Sequence, residues 1–195
     1  MTEERTRPTR IRVSGLQETQ LPSVVDIEKA GAAMYRDSGF ATSEVPARQA
    51  MEIVALTRDH NVRVAEADHV VAGYAAWRDE APGVGVVETI AVHPDFQRVG
   101  VGSKLIETIR EEARDAKLSH LVLRCRTAAP WAMEFCRKAG FSPIGEGAPR
   151  QVAAWGQERA ATGLKPDEVV LWATVGEPPA EPADEDEEPS DDAES

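Results

Sequence analysis

The chain has 195 residues, a formal net charge of −12 and only two cysteines, with 42% hydrophobic residues. This length suits one domain with a core that needs no disulfide or metal, and Cys125 and Cys136 lie in apolar segments without metal-ligand spacing. The opening MTEERTRPTR has no apolar core of the secretory kind, and the longest apolar run, Val70–Trp77, is far too short to cross a bilayer, so a soluble cytoplasmic protein with reduced thiols is expected.

In chain order, Arg10-Ile11-Arg12-Val13 alternates polar and apolar and predicts a first strand. Leu21-Pro22 opens a helix with Val24, Val25, Ile27, Ala30, Met34 and Tyr35 on its stripe, ending near Ser38-Gly39. Ser43-Glu44-Val45-Pro46 predicts the start of a second helix, which stops around Asp59-His60-Asn61. Val62–Glu66 and Val70–Trp77 form a predicted hairpin about Ala67-Asp68, and Pro82-Gly83 turns the chain into a strand over 84–92. A helix over 100–116 follows, then a buried strand over Leu121–Cys125, a helix Trp131–Ala139 closed by Gly140, and a strand from Phe141 to Ile144. Gln151–Ala161 predicts a helix and Glu168–Val175 the last strand. Strands and helices in this order make an α/β fold with a mixed sheet.

The charge is concentrated at one end. Glu177 to Ser195 holds ten acidic residues, no basic ones and four prolines, with nothing larger than Ala to bury. Such a composition predicts a disordered acidic tail over 176–195 attached to a folded domain over 10–175. The rest of the chain is close to neutral, so no basic patch points to nucleic acid. A solvating role for the tail and a docking role toward a basic partner are both open, the latter as an interaction module.

The stretch that carries chemistry is VGVVETIAVHPDFQRVGVGSKLI, residues 84–106. An apolar strand stops at His93-Pro94, and Gln97-Arg98-Val99-Gly100-Val101-Gly102-Ser103 opens a helix whose face carries Leu105, Ile106, Ile109 and Ala113. The unpaired amides at a helix start and its positive dipole end make an anion site. Leu105 stands where a dinucleotide fingerprint needs its third glycine, and Gly100-Val101-Gly102-Ser103-Lys104 lacks the Walker spacing. What remains is Gln/Arg-x-x-Gly-x-Gly after a strand ending in Ala-Val-His-Pro. This resembles the acetyl-CoA loop of the GNAT acetyltransferase superfamily, and the element order over residues 10–175 is similar as well.

The resemblance implies a GNAT-like mixed central sheet with helices on both faces. It implies acetyl-CoA as co-substrate and direct transfer of an acetyl group to an amine, of a small molecule or a protein, without a covalent enzyme intermediate. The amides of Val99, Gly100, Val101, Gly102 and Ser103, with Arg98, would hold the pyrophosphate, the glycines letting the backbone approach. The pantetheine arm would lie along Ile90, Ala91 and Val92 as an added strand, with a backbone N–H near Val92 toward the thioester oxygen. Glu88, alone in an apolar run, is the candidate base, its pKa expected to rise by desolvation, with a solvent-facing strand-edge residue or an arginine's ion-pair partner as the alternative. Ala132 and Cys136 stand where the family commonly has a cofactor-contacting Asn and the Tyr that protonates the departing thiolate. Tyr35 or Tyr74 is then an alternative source of a phenol, or water supplies the proton, and a degenerate acyl-CoA-binding sensor or regulatory domain is the alternative reading. Met34, Tyr35, Phe40, Trp155 and Trp172 are open between acceptor pocket and core. No metal cluster is expected, and a homodimer is left open.

Overall fold

The computed structural model describes residues 8–145 and 147–176, so the predicted acidic tail beyond Gly176 lies outside the described residues. One seven-stranded sheet runs through them in the order β1-β2-β3-β4-β5-β7-β6. The strands are β1 (Ile11–Gly15), β2 (Asn61–Ala67), β3 (Val70–Ala81), β4 (Val84–Val92), β5 (His120–Arg126), β6 (Ser142–Pro143) and β7 (Glu168–Thr174). Every neighbouring pair is antiparallel except β4 and β5, which are parallel. A parallel neighbour needs a crossover, and helix α3 (Val101–Asp115) supplies it. The mixed sheet expected from the sequence is therefore present.

Helices cover both faces. Val101, Leu105, Ile106 and Ile109 recur at helical spacing and bury the inner stripe of α3 against Trp77, Val87, Leu121 and Leu123. Leu105 and Ile109 are fully buried, each contributing about 1.5–3 kcal/mol. Helix α4 (Pro130–Lys138) joins the same face through Cys136. On the other face, α1 (Leu21–Asp37) and α2 (Ala50–Leu56) set Val24, Ile27 and Ile53 against Val62, Val64 and Tyr74. Helix α5 (Arg150–Thr162) covers the neighbouring strands of that face with Val152 and Trp155.

Three boundaries differ from the sequence reading. The second helix begins at Ala50 rather than near Ser43, because Pro46 biases its predecessor toward extended backbone and Gln49 and Glu52 form a capping box one turn later. Residues 43–49 instead form a strap toward the site. The strand predicted over 141–144 is only Ser142–Pro143, since proline removes a donor from the ladder. The first strand is shifted to Ile11–Gly15. The β2–β3 turn is made by Asp68 and His69, both at positive φ (47° and 71°), the pattern of a tight hairpin.

Candidate active site

Strands β4 and β5 are paired only where Val84–Val87 face His120–Leu123. Beyond that point β4 stays with β3 as far as Val92, and β5 stays with β7 as far as Arg126. The two strands therefore part, and among the described residues the β5-facing edge of Glu88–Val92 is left without a strand beside it. The parting coincides with a bulge: Trp77 faces Val87 and Ala76 faces Thr89, so Glu88 is the extra residue. A bulge re-aims the side chain it carries. Here it turns Glu88 toward β5, where its Oε1 lies 3.4 Å from Arg124 Nη2.

The same strand runs on into the glycine loop. His93 accepts the Asp95 N–H on Nδ1 (3.3 Å) and shapes the turn Pro94–Phe96, as a structural residue would. Arg98 (φ 63°) and Gly100 (φ 99°) then bend the backbone through left-handed conformations, the second of which suits glycine. The first helical bond of α3 runs from Lys104 N–H to Gly100 O at 3.0 Å, so the Val101, Gly102 and Ser103 amides precede it. This cradle fits a phosphate: three leading amides, a positive dipole end and the Arg98 guanidinium nearby. Arg98 sits close enough to α4 to help hold the Glu134 carboxyl below its usual range, after the larger effect of Lys138. Gly102 has a further reason to be glycine. A Cβ there would stand 2.8 Å from the Phe135 ring, so its absence lets α3 and α4 close over the loop.

On the α1 face the splay is lined by charge. Glu28, buried on α1, accepts the Tyr74 hydroxyl on Oε1 and the Arg48 amide on Oε2 (2.9 Å), and pairs with the Arg48 guanidinium at 3.4 Å. Arg48 Nη1 also donates to Thr89 Oγ1 at 3.2 Å, next to Glu88. Burial works to lower the Arg48 pKa, but Tyr74, Glu28 and Glu88 outweigh it and raise it. Burial first, then Glu28, pushes the Tyr74 phenol far up, so that this hydroxyl is a fixed donor rather than a free acid. Arg126 is almost fully buried. It grips Asp167 with one nitrogen (2.7 Å to each oxygen), donates to Glu44 O (2.7 Å) and lies over the Phe40 ring. Arg126 thereby pins the 43–49 strap to the end of β5.

The α3 face holds the thiols. Cys136 is 4% exposed and packs in the core. Its pKa is driven far up, first by its hydrogen bond to Cys125 and then by burial, while that same bond lowers Cys125. A thiol so held is a poor proton donor. Tyr35 approaches the pair from α1: burial and then Cys125 raise its pKa, and its ring packs on Trp131 and edge-on to Phe40, each at 5.3 Å. The phenol is thus protonated at neutral pH.

The profile of the Acetyltransferase (GNAT) family matches residues 28–141, more than half of the chain. The chain belongs to the GNAT acetyltransferase family. Its fold is similar to that of the ribosomal-protein-S18-alanine N-acetyltransferase of Escherichia coli (TM-score 0.61, 18% identity, covering 86% of this chain and 96% of that one). It is also similar to the PaiA N-acetyltransferase of Thermoplasma acidophilum, solved with coenzyme A (TM-score 0.69, 10% identity, 85% and 99% covered). A third likeness is to yncA of Salmonella typhimurium, described as a putative acetyltransferase and solved with acetyl-CoA (TM-score 0.59, 17% identity, 89% and 98% covered). No curated protein sequence matches the chain.

For a GNAT chain, the sequence-predicted residues lie together: Glu88, Ile90, Ala91 and Val92 share the open part of β4, and Arg98 to Ser103 follow within one loop and helix turn. Glu88 itself differs from expectation. It does not stand in apolar surroundings; its side chain is 27% exposed and meets an arginine. Arg48, Arg124, Arg126 and Glu28 escaped the sequence reading. Their signals were present, with Arg124 inside the otherwise apolar Leu121–Cys125 run and Arg126 just beyond it, and an acid four residues after Val24 on a buried helix stripe. Trp155 is core, and Trp172 packs beside it and against His120. Met34 Sδ instead accepts from Gln97 Nε2 at 3.1 Å and so supports the loop. Among the described residues no cluster could hold a metal, and no helix is long and apolar enough to cross a membrane.

Proposed function

We propose that residues 10–175 form an acetyl-CoA-dependent N-acetyltransferase domain that moves an acetyl group directly to a primary amine. The observation that carries this reading is the parting of β4 and β5 at a bulged carboxylate, on the strand that leads straight into the glycine loop. The amides of Val99 to Ser103 and the Arg98 guanidinium hold the donor's pyrophosphate. The open edge of Ile90, Ala91 and Val92 accepts its amide-bearing arm as a short added strand, and a backbone N–H near Val92 meets the thioester oxygen.

Glu88 removes the proton that an alkylamine, with pKa about 10, carries at neutral pH. The amine nitrogen then bonds to the thioester carbon and the carbon–sulfur bond breaks. The departing sulfur needs a proton, from Tyr35 or water, since Tyr74 is committed to Glu28 and the Cys136 thiol is a poor donor; the second proton of the attacking nitrogen restores that donor.

Calorimetry with acetyl-CoA tests the donor site, and thiol release across an amine panel tests transfer. Glu88→Gln keeps the side chain's size and is expected to bind acetyl-CoA normally but to turn over about 10²–10⁴-fold more slowly. An unchanged rate removes Glu88 as the base. No heat of binding removes the reading altogether.

A further inference from the structure

We infer that the acceptor is an amine carrying a carboxylate within a few bonds of its nitrogen, of amino-acid type, and that Arg124 receives that carboxylate. This rests on the N-acetyltransferase reading of the splay. The inference comes from following charge at Glu88 through the reaction. The charged side chains around it come from three elements: Arg124 from β5, Arg48 from the strap before α2, and Glu28 from α1. They form two neutral pairs. Arg48 belongs to Glu28, which holds it through both backbone and side chain. Arg126, the next outward arginine of β5, is taken by Asp167, Glu168 and the strap. Among the described residues, Arg124 has Glu88 as its ion-pair partner.

The ammonium of an arriving substrate and Arg124 compete for the charge of Glu88. The oxygen that faces Arg124 Nη2 at 3.4 Å lies at the mouth of the splay, and an ammonium arriving there competes with the guanidinium for it. When Glu88 then takes the proton it becomes neutral, and Arg124 is left without its ion-pair partner. A simple alkylamine or a diamine worsens this imbalance, since it brings only positive charge. A zwitterion corrects it: its ammonium replaces Arg124 on Glu88, and its carboxylate replaces Glu88 on Arg124. Arg124 is 44% exposed and Arg48 31%, so the guanidinium is within reach of a small acceptor. An arginine fork also matches a carboxylate in geometry as well as in charge. Polyamines and lysine side chains of folded proteins lack the partner for Arg124.

Thiol release with acetyl-CoA is measured for matched sets of acceptors: free amino acids, their carboxamides and the corresponding decarboxylated amines, with a polyamine and a lysine-containing peptide alongside. The free amino acids are expected to lead their carboxamides by about 10- to 100-fold in kcat/KM, the range of one charge-assisted hydrogen bond. Arg124→Met should abolish that lead, raising KM for the amino acids well beyond any change it makes for the carboxamides through its loss from Glu88, and Arg124→Lys should restore part of it. Equal or better transfer to carboxamides, polyamine or peptide overturns the inference and leaves the N-acetyltransferase reading standing. So does an Arg124→Met variant that slows every acceptor alike. A protein that binds no acetyl-CoA, or binds it and acetylates no amine, fails at the earlier step and takes this inference with it.

Discussion

Tyr74→Phe removes one oxygen from a position that is completely buried, and with it the hydroxyl that Glu28 accepts. The ring stays, so packing against α1 changes little. What is lost is a hydrogen bond to a charged acceptor inside the protein, about 1.5–3 kcal/mol. At a urea m-value of roughly 2 kcal/mol/M the denaturation midpoint should fall by about 0.8–1.5 M, with m unchanged. The same hydroxyl has a second signature in alkali. Its folded pKa is raised, by burial first and Glu28 next, so the folded chain keeps a proton that the unfolded chain loses above pH ~10. The stabilisation is complete below that pH and declines above it, by up to about 1.4 kcal/mol per pH unit for each such phenol. Tyr35 and Tyr74 are the only tyrosines, so Tyr74→Phe should remove one of the two phenol contributions to the alkaline slope and leave that of the buried Cys136 thiol in place. Urea melts at neutral pH and at several alkaline pH values check both expectations. A midpoint equal to that of the parent protein, or an alkaline slope that does not change, refutes the role assigned to the Glu28–Tyr74 bond.

Gly100→Ala forces a side chain into a backbone with φ 99°, a strain of about 1–3 kcal/mol. It should lower the urea midpoint and weaken acetyl-CoA in calorimetry, and equal affinity would remove the loop from the donor site. Gly102→Ala puts a methyl 2.8 Å from the Phe135 ring; overpacking of about 1–3 kcal/mol outweighs alanine's helix advantage of about 1 kcal/mol. Adding Phe135→Leu should restore stability, and a double variant no more stable than the single one speaks against that contact. Burial lowers the His120 pKa, so the unfolded chain binds the extra proton and stability should drop as pH falls below about 6.5. His120→Phe should flatten urea midpoints between pH 5 and 6.5, and a slope that persists assigns the effect to another group.

The loop was readable because its chemistry is local. Gly100, Gly102 and the apolar stripe of α3 sit within one short stretch, and the backbone conformation they need is written in residue types. The sheet was readable for the same reason, each strand declaring itself by its own pattern. The environment of Glu88 was not. Its bulge depends on the register against β3, and Arg124 reaches it only because β5 lies parallel alongside, 36 residues later in sequence. The start of α2 was misjudged because Ser43-Glu44 imitates a helix opening. In the folded chain the Glu44 carbonyl accepts from Arg126 and Lys165, two partners far away in sequence. Cys136 shows the opposite case, since its apolar surroundings are legible locally but its bond to Cys125 is not.

The gap between β4 and β5 is an edge inside a sheet. An outer edge invites any passing strand, and proteins blunt such edges to avoid aggregation. This inner one has a wall on either side, β3 behind β4 and β7 behind β5, with helices above and below. No folded partner can lie along it. Only a slender chain with amide groups at strand spacing, entering lengthwise, can complete its hydrogen bonds. Under the proposed reading, selectivity for a thin donor arm comes from this opening in the backbone, while Val84, Val86 and Val87 at the closed end of β4 stay fixed as core.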